Sequence, residues 1–459
     1  MRTPLLEAKL GAGRVLARTG EWQLFVLNPS ASMLWELHEA GWGTEEMASL
    51  VEQYFGLDVH SALAQVDSLI SQWHQAGLID AKSPGIPSEN RVMPDSGTKP
   101  APADVSGESS GQMPETVATR PYSGLRMTLN STALPPSPPF AKGGTILTGG
   151  VMPGWKRNHS PIKPQAACYT LAVAGMCLRL AIDDAELARY VAPVVESLIK
   201  DDANSITHHL HLVGCIANWI LLQDGIVKAQ GQGTDEALVM TVRTLVESGC
   251  RLSERMMVIH GAGLSLGDGV CLLLIAPGGS GKTTLAAALN AAGYGLLSDD
   301  VVPVTPGGEL VGLGMPLCLK AGSWPVLSSR RPDLAAAATV QRYGEPVRYL
   351  PPCGQRVEEL LRLGLLLFPR YQPGSIAGFV ALTPEDVLQR VVEADAVIRD
   401  LTQQKLEAIV RWASSAPAYA LTYPDLQSGL ELVRVITSNH LDGNPCVNGF
   451  ATPSLTFRL

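Results

Sequence analysis

Lys282 and Thr283 close a glycine-rich turn, Pro277, Gly278, Gly279, Ser280 and Gly281, that follows the apolar run Val270–Ile275. The turn leads through Thr284 into a helical pattern over residues 285–292, which Gly293 ends. A buried strand, a tight turn and a helix in that order bring backbone N–H groups and the positive end of a helix dipole onto one anion. Gly279 and Gly281 lack a Cβ, so the backbone can approach a phosphate closely. A lysine at position 282 reaches β- and γ-phosphates, and the hydroxyl of Thr283 suits a magnesium ion. The strict pattern has glycine where this chain has Ala276. Residues 277–284 are therefore read as a nucleoside triphosphate site.

Downstream, residues 294–300 read as a strand that delivers Asp299 and Asp300 at its carboxyl end, where ligands bind in open α/β sheets. Phosphoryl transfer needs a metal ligand and a group that accepts the proton of the attacking hydroxyl, and two adjacent carboxylates can divide those roles. His260 precedes the phosphate-loop strand by a short hairpin, and Glu309 lies among the glycines of residues 307–314. Arg348 and Arg370 are candidate stabilisers of a transferring phosphoryl group, with Lys320 a weaker one. His208, His209 and His211 alternate within an apolar run, which favours a strand with exposed imidazoles over a metal site.

These residues must be held by a chain of 459 residues, long enough for two or three domains. A net charge of -8 removes the basic footprint expected of a nucleic-acid binder. No apolar run approaches the ~18 residues of a membrane span, and residues 1–9 lack the apolar core of a signal peptide. The eight cysteines form no C-x-x-C pair and fit reduced thiols, so a cytoplasmic location is expected.

Residues 1–81 read as a small winged-helix-like α+β domain. A strand over 22–27 is followed by helices starting at Ser30 and Thr44, a third carrying Val59, Leu63, Val66, Ile70 and Trp73, and a short return strand at Leu78 and Ile79. Residues 82–162 are rich in Pro, Ser, Gly and Thr and are expected to be a disordered tether. Residues 163–440 alternate apolar runs with helical patterns, as in an α/β fold, and residues 441–459 read as a tail.

With His260 and Gly261, Gly279 to Thr283, Ser298 to Asp300, and Glu309 to Gly314 in this order, the second domain resembles the HPr kinase/phosphorylase family. Residues 317–324 and 348–352 resemble the broader set of HPr-kinase-related proteins. The resemblance implies an α/β P-loop kinase domain of the HPr kinase type that uses ATP and Mg2+. By the same resemblance Asp299 is the base with Asp300 alongside, Lys282 and His260 belong to the catalytic set, and Thr283, Glu309 and Asp300 hold the metal. A counterpart of the family's segment that docks the carrier HPr is missing, which sets HPr itself and the reverse reaction aside. Residues 20–80 look like the PqqD family, whose members bind the leader of a ribosomally made precursor peptide by strand addition. Together the resemblances imply a Ser/Thr kinase for a precursor peptide, with neither nucleic acid nor membrane as partner and room for a homo-oligomer. The alternatives are a kinase of an HPr-like carrier or small molecule, and a nucleotide-binding peptide chaperone without transfer.

Overall fold

The computed structural model describes residues 4–18, 24–79, 127–129, 166–200, 206–354, 356–441 and 449–450. They fall into two compact units. One holds the described residues of Met1–Gly11, Val15–Val26 and Asn130–Leu459, the other those of Ala12–Arg14 and Leu27–Leu129.

The chain opens with strands β1 (Leu5–Leu10), β2 (Gly13–Arg18) and β3 (Leu24–Leu27). The first two are additions to the sequence reading. The expected strand is found from Leu24 onward, while Trp22 and Gln23 lie outside the described residues. Helices α1 (Pro29–Glu39), α2 (Thr44–Phe55) and α3 (Val59–Gln75) follow. The caps of α1 and α2 are Asn28 and Gly43, two residues and one residue before Ser30 and Thr44, where the sequence reading caps these helices. Asn28 caps α1, accepting from Ala31 N–H at 2.9 Å, because Pro29 has no N–H to satisfy and suits the first helical position. Gly43 precedes α2, and its N–H donates to Glu46 at 2.7 Å. Gly77, at φ 66°, turns the chain after α3, and Leu78 and Ile79 form a buried turn rather than a strand. Inside this unit Trp35 and Trp73 meet edge-on at 5.0 Å between ring centroids. Of the expected tether the structure describes only Met127–Leu129, a short strand, β4. The rest of that expectation, and nearly all of the expected tail, lie outside the described residues.

A five-stranded sheet comes next, in the order β5 (Ala167–Val173), β6 (Met176–Ile182), β7 (His208–Cys215), β8 (Asn218–Gln223) and β9 (Ile226–Gly231). Helices α4 (Ala185–Val195) and α5 (Thr234–Cys250) bury their apolar faces in its core. On β7, His208 contacts Asp224 and His211 contacts Asp183, each at 2.7 Å. Among the described residues no group of three or more His, Cys, Asp or Glu could hold a metal ion.

The segment from 257 to 304 builds the site. Strand β10 (Met257–Ile259) pairs with β14 (Val302–Val304), while β11 (Gly261–Gly267) lies between β12 (Val270–Ile275) and β13 (Gly295–Ser298). Strand β12, which leads into the glycine-rich turn, runs parallel to β18 (Arg362–Tyr371), and β18 runs parallel to β20 (Ala418–Tyr423). Strands β19 (Gly378–Ala381) and β21 (Gly449–Phe450) complete a seven-stranded sheet. Both faces of β12 are covered: Cys271, Leu273 and Ile275 enter one core, Leu272 and Leu274 the other. This is why its sequence is continuously apolar instead of alternating. The helix after the glycine-rich turn, α6 (Lys282–Ala291), joins the second core through Leu285 and Leu289. The first core takes in α8 (Pro384–Glu393) and α9 (Gln403–Ala413), and also Leu10, Val15 and Ala17 of β1 and β2. A separate three-stranded sheet, β15 (Leu317–Lys320), β17 (Glu345–Leu350) and β16 (Thr339–Arg342), stands beside the loop. The short α7 (Trp324–Leu327) follows β15, and α10 (Leu426–Leu441) follows β20.

Candidate functional site

Strand β12 ends at Ile275, and the chain turns through residues 277–281 before α6 begins at Lys282. The Ser280 hydroxyl closes the turn on the Pro277 carbonyl at 2.8 Å. Gly279 and Gly281 have φ of 84° and 88°, a left-handed region costly for residues with a Cβ. A Cβ on Gly279 would meet nothing within 4 Å, whereas one on Gly281 would lie 3.1 Å from Tyr371 Cβ and 3.2 Å from the Tyr423 hydroxyl. Ala276 is buried and keeps ordinary backbone geometry, so glycine is not needed there. Its carbonyl accepts from Lys282 Nζ at 3.3 Å.

Two pairings converge on the carboxylates. Ile259 of β10 is opposite Val302, and Gly263 of β11 is opposite Ser298. His260 and Asp299–Val301 are the links between these paired strands, which sets them against each other. The Ser298 hydroxyl donates to Val301 O at 2.6 Å, and Val301 N–H donates to Asp299 O at 2.9 Å. Asp300 takes φ 72° at the apex, a conformation that Asp tolerates better than most residues. Its carboxylate meets His260 Nε2 at 3.3 Å on one oxygen and Arg342 Nη2 at 3.0 Å on the other. Asp299 is buried, accepts from Cys318 N–H at 3.4 Å through Oδ2, and has no hydrogen-bond partner for Oδ1 among the described residues.

The two neighbours are held at different proton affinities. Burial, and then the charge of Asp300, push Asp299 up to about 6. Burial would also raise Asp300, but the hydrogen bond from His260 and the guanidinium of Arg342 outweigh it and hold the carboxyl well below the usual range. Burial lowers Lys282, with Asp300 and Asp299 opposing. Cys318, which accepts a contact from Arg342 Nη1 at 3.1 Å, is pushed up to about 11 by burial and stays a thiol.

One cavity of about 680 Å³ is lined by His260, all of residues 277–284, Asp299 and Asp300. Of the site residues read from the sequence, Glu309, Arg348 and Arg370 lie outside this lining. The Glu309 carboxylate instead accepts from the Thr305 hydroxyl in a surface turn, outside the cavity lining. Of the three residues expected to hold a metal, Thr283 and Asp300 line the cavity and Glu309 does not. Arg348 stacks on Trp324 at 4.2 Å and donates to Leu334 O, Arg370 is exposed on β18, and Lys320 lines the cavity while paired with Glu345 at 2.6 Å. The arginine that does reach the carboxylates, Arg342, was not singled out by sequence reasoning. Its signal is the hairpin turn after it, Tyr343 and Gly344, both at positive φ, which ends β16 at the cavity.

The open glycine loop and buried lysine fit a phosphate group, while the Asp299 oxygen that has no partner among the described residues suits a donor such as a hydroxyl. Residues 13–79 match the family model described as Coenzyme PQQ synthesis protein D (PqqD). No curated protein matches the chain. Among the described residues no helix is long and apolar enough to cross a membrane.

Proposed function

We propose that this chain is an ATP-dependent phosphotransferase of the HPr kinase type. It phosphorylates a Ser or Thr hydroxyl on a ribosomally synthesised precursor peptide recruited through the PqqD-like segment. The observation that carries this reading is the pairing, in one cavity with the phosphate loop, of a carboxyl poised near neutrality with one fixed as an anion. Asp299 takes the proton from the acceptor hydroxyl as that oxygen bonds to the γ-phosphorus and the bond to the β-phosphate oxygen breaks. ADP leaves with the electrons of that bond. Backbone N–H groups of the loop and Lys282 hold the donor phosphates, and Arg342 keeps Asp300 ionised beside them. Thr283 and Asp300 would hold Mg2+, which neutralises phosphate charge when bound. Peptide recognition is supported by the PqqD match, and location in the cytoplasm accords with this substrate.

Incubation with ATP, Mg2+ and a leader-bearing precursor peptide encoded beside this chain, followed by intact-mass spectrometry, tests the reading. A gain of one phosphate on the peptide, reduced when the leader is removed, is the expected result. Tight ATP binding with an unmodified peptide would favour a nucleotide-binding chaperone instead.

A further inference from the structure

The mechanism above leaves one buried polar group in the cavity unused. Tyr423 is only 2% exposed, yet its hydroxyl finds no hydrogen-bond partner among the described residues. Leaving a buried hydroxyl unpaired is costly, which points to a partner that arrives with a bound ligand. The position of the group narrows what that partner is. Strands β12, β18 and β20 run parallel, and Tyr371 and Tyr423 are register partners at the carboxyl ends of β18 and β20. Both therefore lie at the sheet edge that carries the phosphate loop, and both line the same cavity.

The contacts are close. Tyr371 N–H donates to Ser280 O at 3.1 Å, which ties the loop to β18. Its ring meets that of Tyr423 at 6.1 Å between centroids, tilted by 47°. The Tyr423 hydroxyl lies 3.2 Å from where a Cβ on Gly281 would stand. Asp425, the nearest carboxylate along the chain, is engaged by Ser428 N–H at 2.8 Å and Ser428 Oγ at 3.0 Å. Burial, and then Tyr371, raise the phenol further above its usual range, so it remains a donor at any working pH.

We infer that Tyr423 is a ligand of the donor phosphates, its hydroxyl donating to a phosphate oxygen seated in the loop at Gly281. Tyr371 is the positioning residue that packs the ring in place. The inference rests on the reading of the cavity as a triphosphate site and adds to it a contact from outside the loop, supplied by the end of β20.

Tyr423→Phe removes the hydroxyl alone and keeps the ring that packs against Tyr371 and Gly281. Calorimetric titration of the full chain with ATP and with inorganic tripolyphosphate, each with Mg2+, provides the readout. A hydrogen bond to a charged group lost from the complex weakens both ligands by on the order of tenfold or more. The unliganded variant is expected to melt at the wild-type temperature or above it, since an orphaned polar group has been removed. Unchanged affinity for both ligands in a folded variant overturns this inference alone. Wild-type protein that binds neither ligand overturns the triphosphate site and this inference with it.

Discussion

The guanidinium of Arg342 lies 3.0 Å from Asp300 Oδ2, joining the end of β16 to the link between β13 and β14, 42 positions away. Because His260 occupies the other oxygen, Asp300 is held as an anion, and its charge adds to burial in raising Asp299. Replacing Arg342 by Ala or Lys should therefore change the chemistry of Asp299 without touching it. Arg342→Ala is expected to lower the transfer rate by about 10²–10³. Lys should rescue only part of this, since it offers no planar fork to span Asp300 and Cys318. Steady-state kinetics with nucleotide affinity measured in parallel would separate this loss from a binding defect.

The shift on Asp299 has a definite sign in kinetics. A base that must be deprotonated, with a pKa of about 6, makes the rate rise with pH through that value and level off above it. The acidic limb of the kcat/KM profile should fall near pH 6, well above an ordinary aspartate. In Arg342→Ala the limb is expected to move, because the charge on Asp300 is then less fully developed.

The same shift acts on stability in the opposite direction. The folded-state pKa exceeds the unfolded one, so the stability associated with Asp299 is fully present below about pH 4 and is lost as pH rises through about 6. With a rise of roughly two pKa units this amounts to about 3 kcal/mol. Asp299→Asn cannot ionise. It should melt several degrees above the wild type at pH 7.5 and near it at pH 4, a contrast that thermal unfolding at the two pH values reads directly.

Gly281 is the loop position with least room. A methyl group there would press on Tyr371 and Tyr423 at a φ of 88°. Gly281→Ala is expected to cost about 1–2 kcal/mol in stability and to weaken ATP more than Gly279→Ala, whose Cβ meets nothing. Melting temperatures and nucleotide titrations of the two variants would check the ordering.

Strands β1 and β2 bear on how peptide recruitment is tested. Leu10, Val15 and Ala17 are buried in the core that β12 and α9 also build. Leu10→Ala should destabilise the unit that holds the cavity by about 2–5 kcal/mol. Truncating residues 1–80 is therefore expected to impair ATP turnover as well as peptide binding, which ATP hydrolysis by the truncated chain would show. Surface substitutions on α1–α3 are the cleaner probe of recruitment.

The parts legible in the sequence are those where chemistry demands contiguous residues. Residues 277–284 had to be adjacent to wrap one anion, and Asp299 and Asp300 had to follow a strand end. Arg342, Cys318 and Tyr423 were not legible, since their roles come from β16, β15 and β20 arriving from distant parts of the chain. Glu309 was suggested by its glycine-rich surroundings, but the Thr305 hydroxyl four residues back captures its carboxylate locally. The helix starts slipped for a similar local reason. Asn28 and Gly43 both precede residues suited to the first helical turn, and only the hydrogen bonds to Asn28 and Glu46 show where each helix begins.

On the proposed mechanism Asp299 accepts a hydroxyl proton beside a loop that holds ATP. Single-turnover transfer from ATP to the leader-bearing peptide, with nucleotide affinity measured on the same samples, tests it in Asp299→Asn. Affinity within a few-fold of the wild type and transfer reduced by at least 10² is the expected result. Transfer at the wild-type rate in that variant would contradict that mechanism.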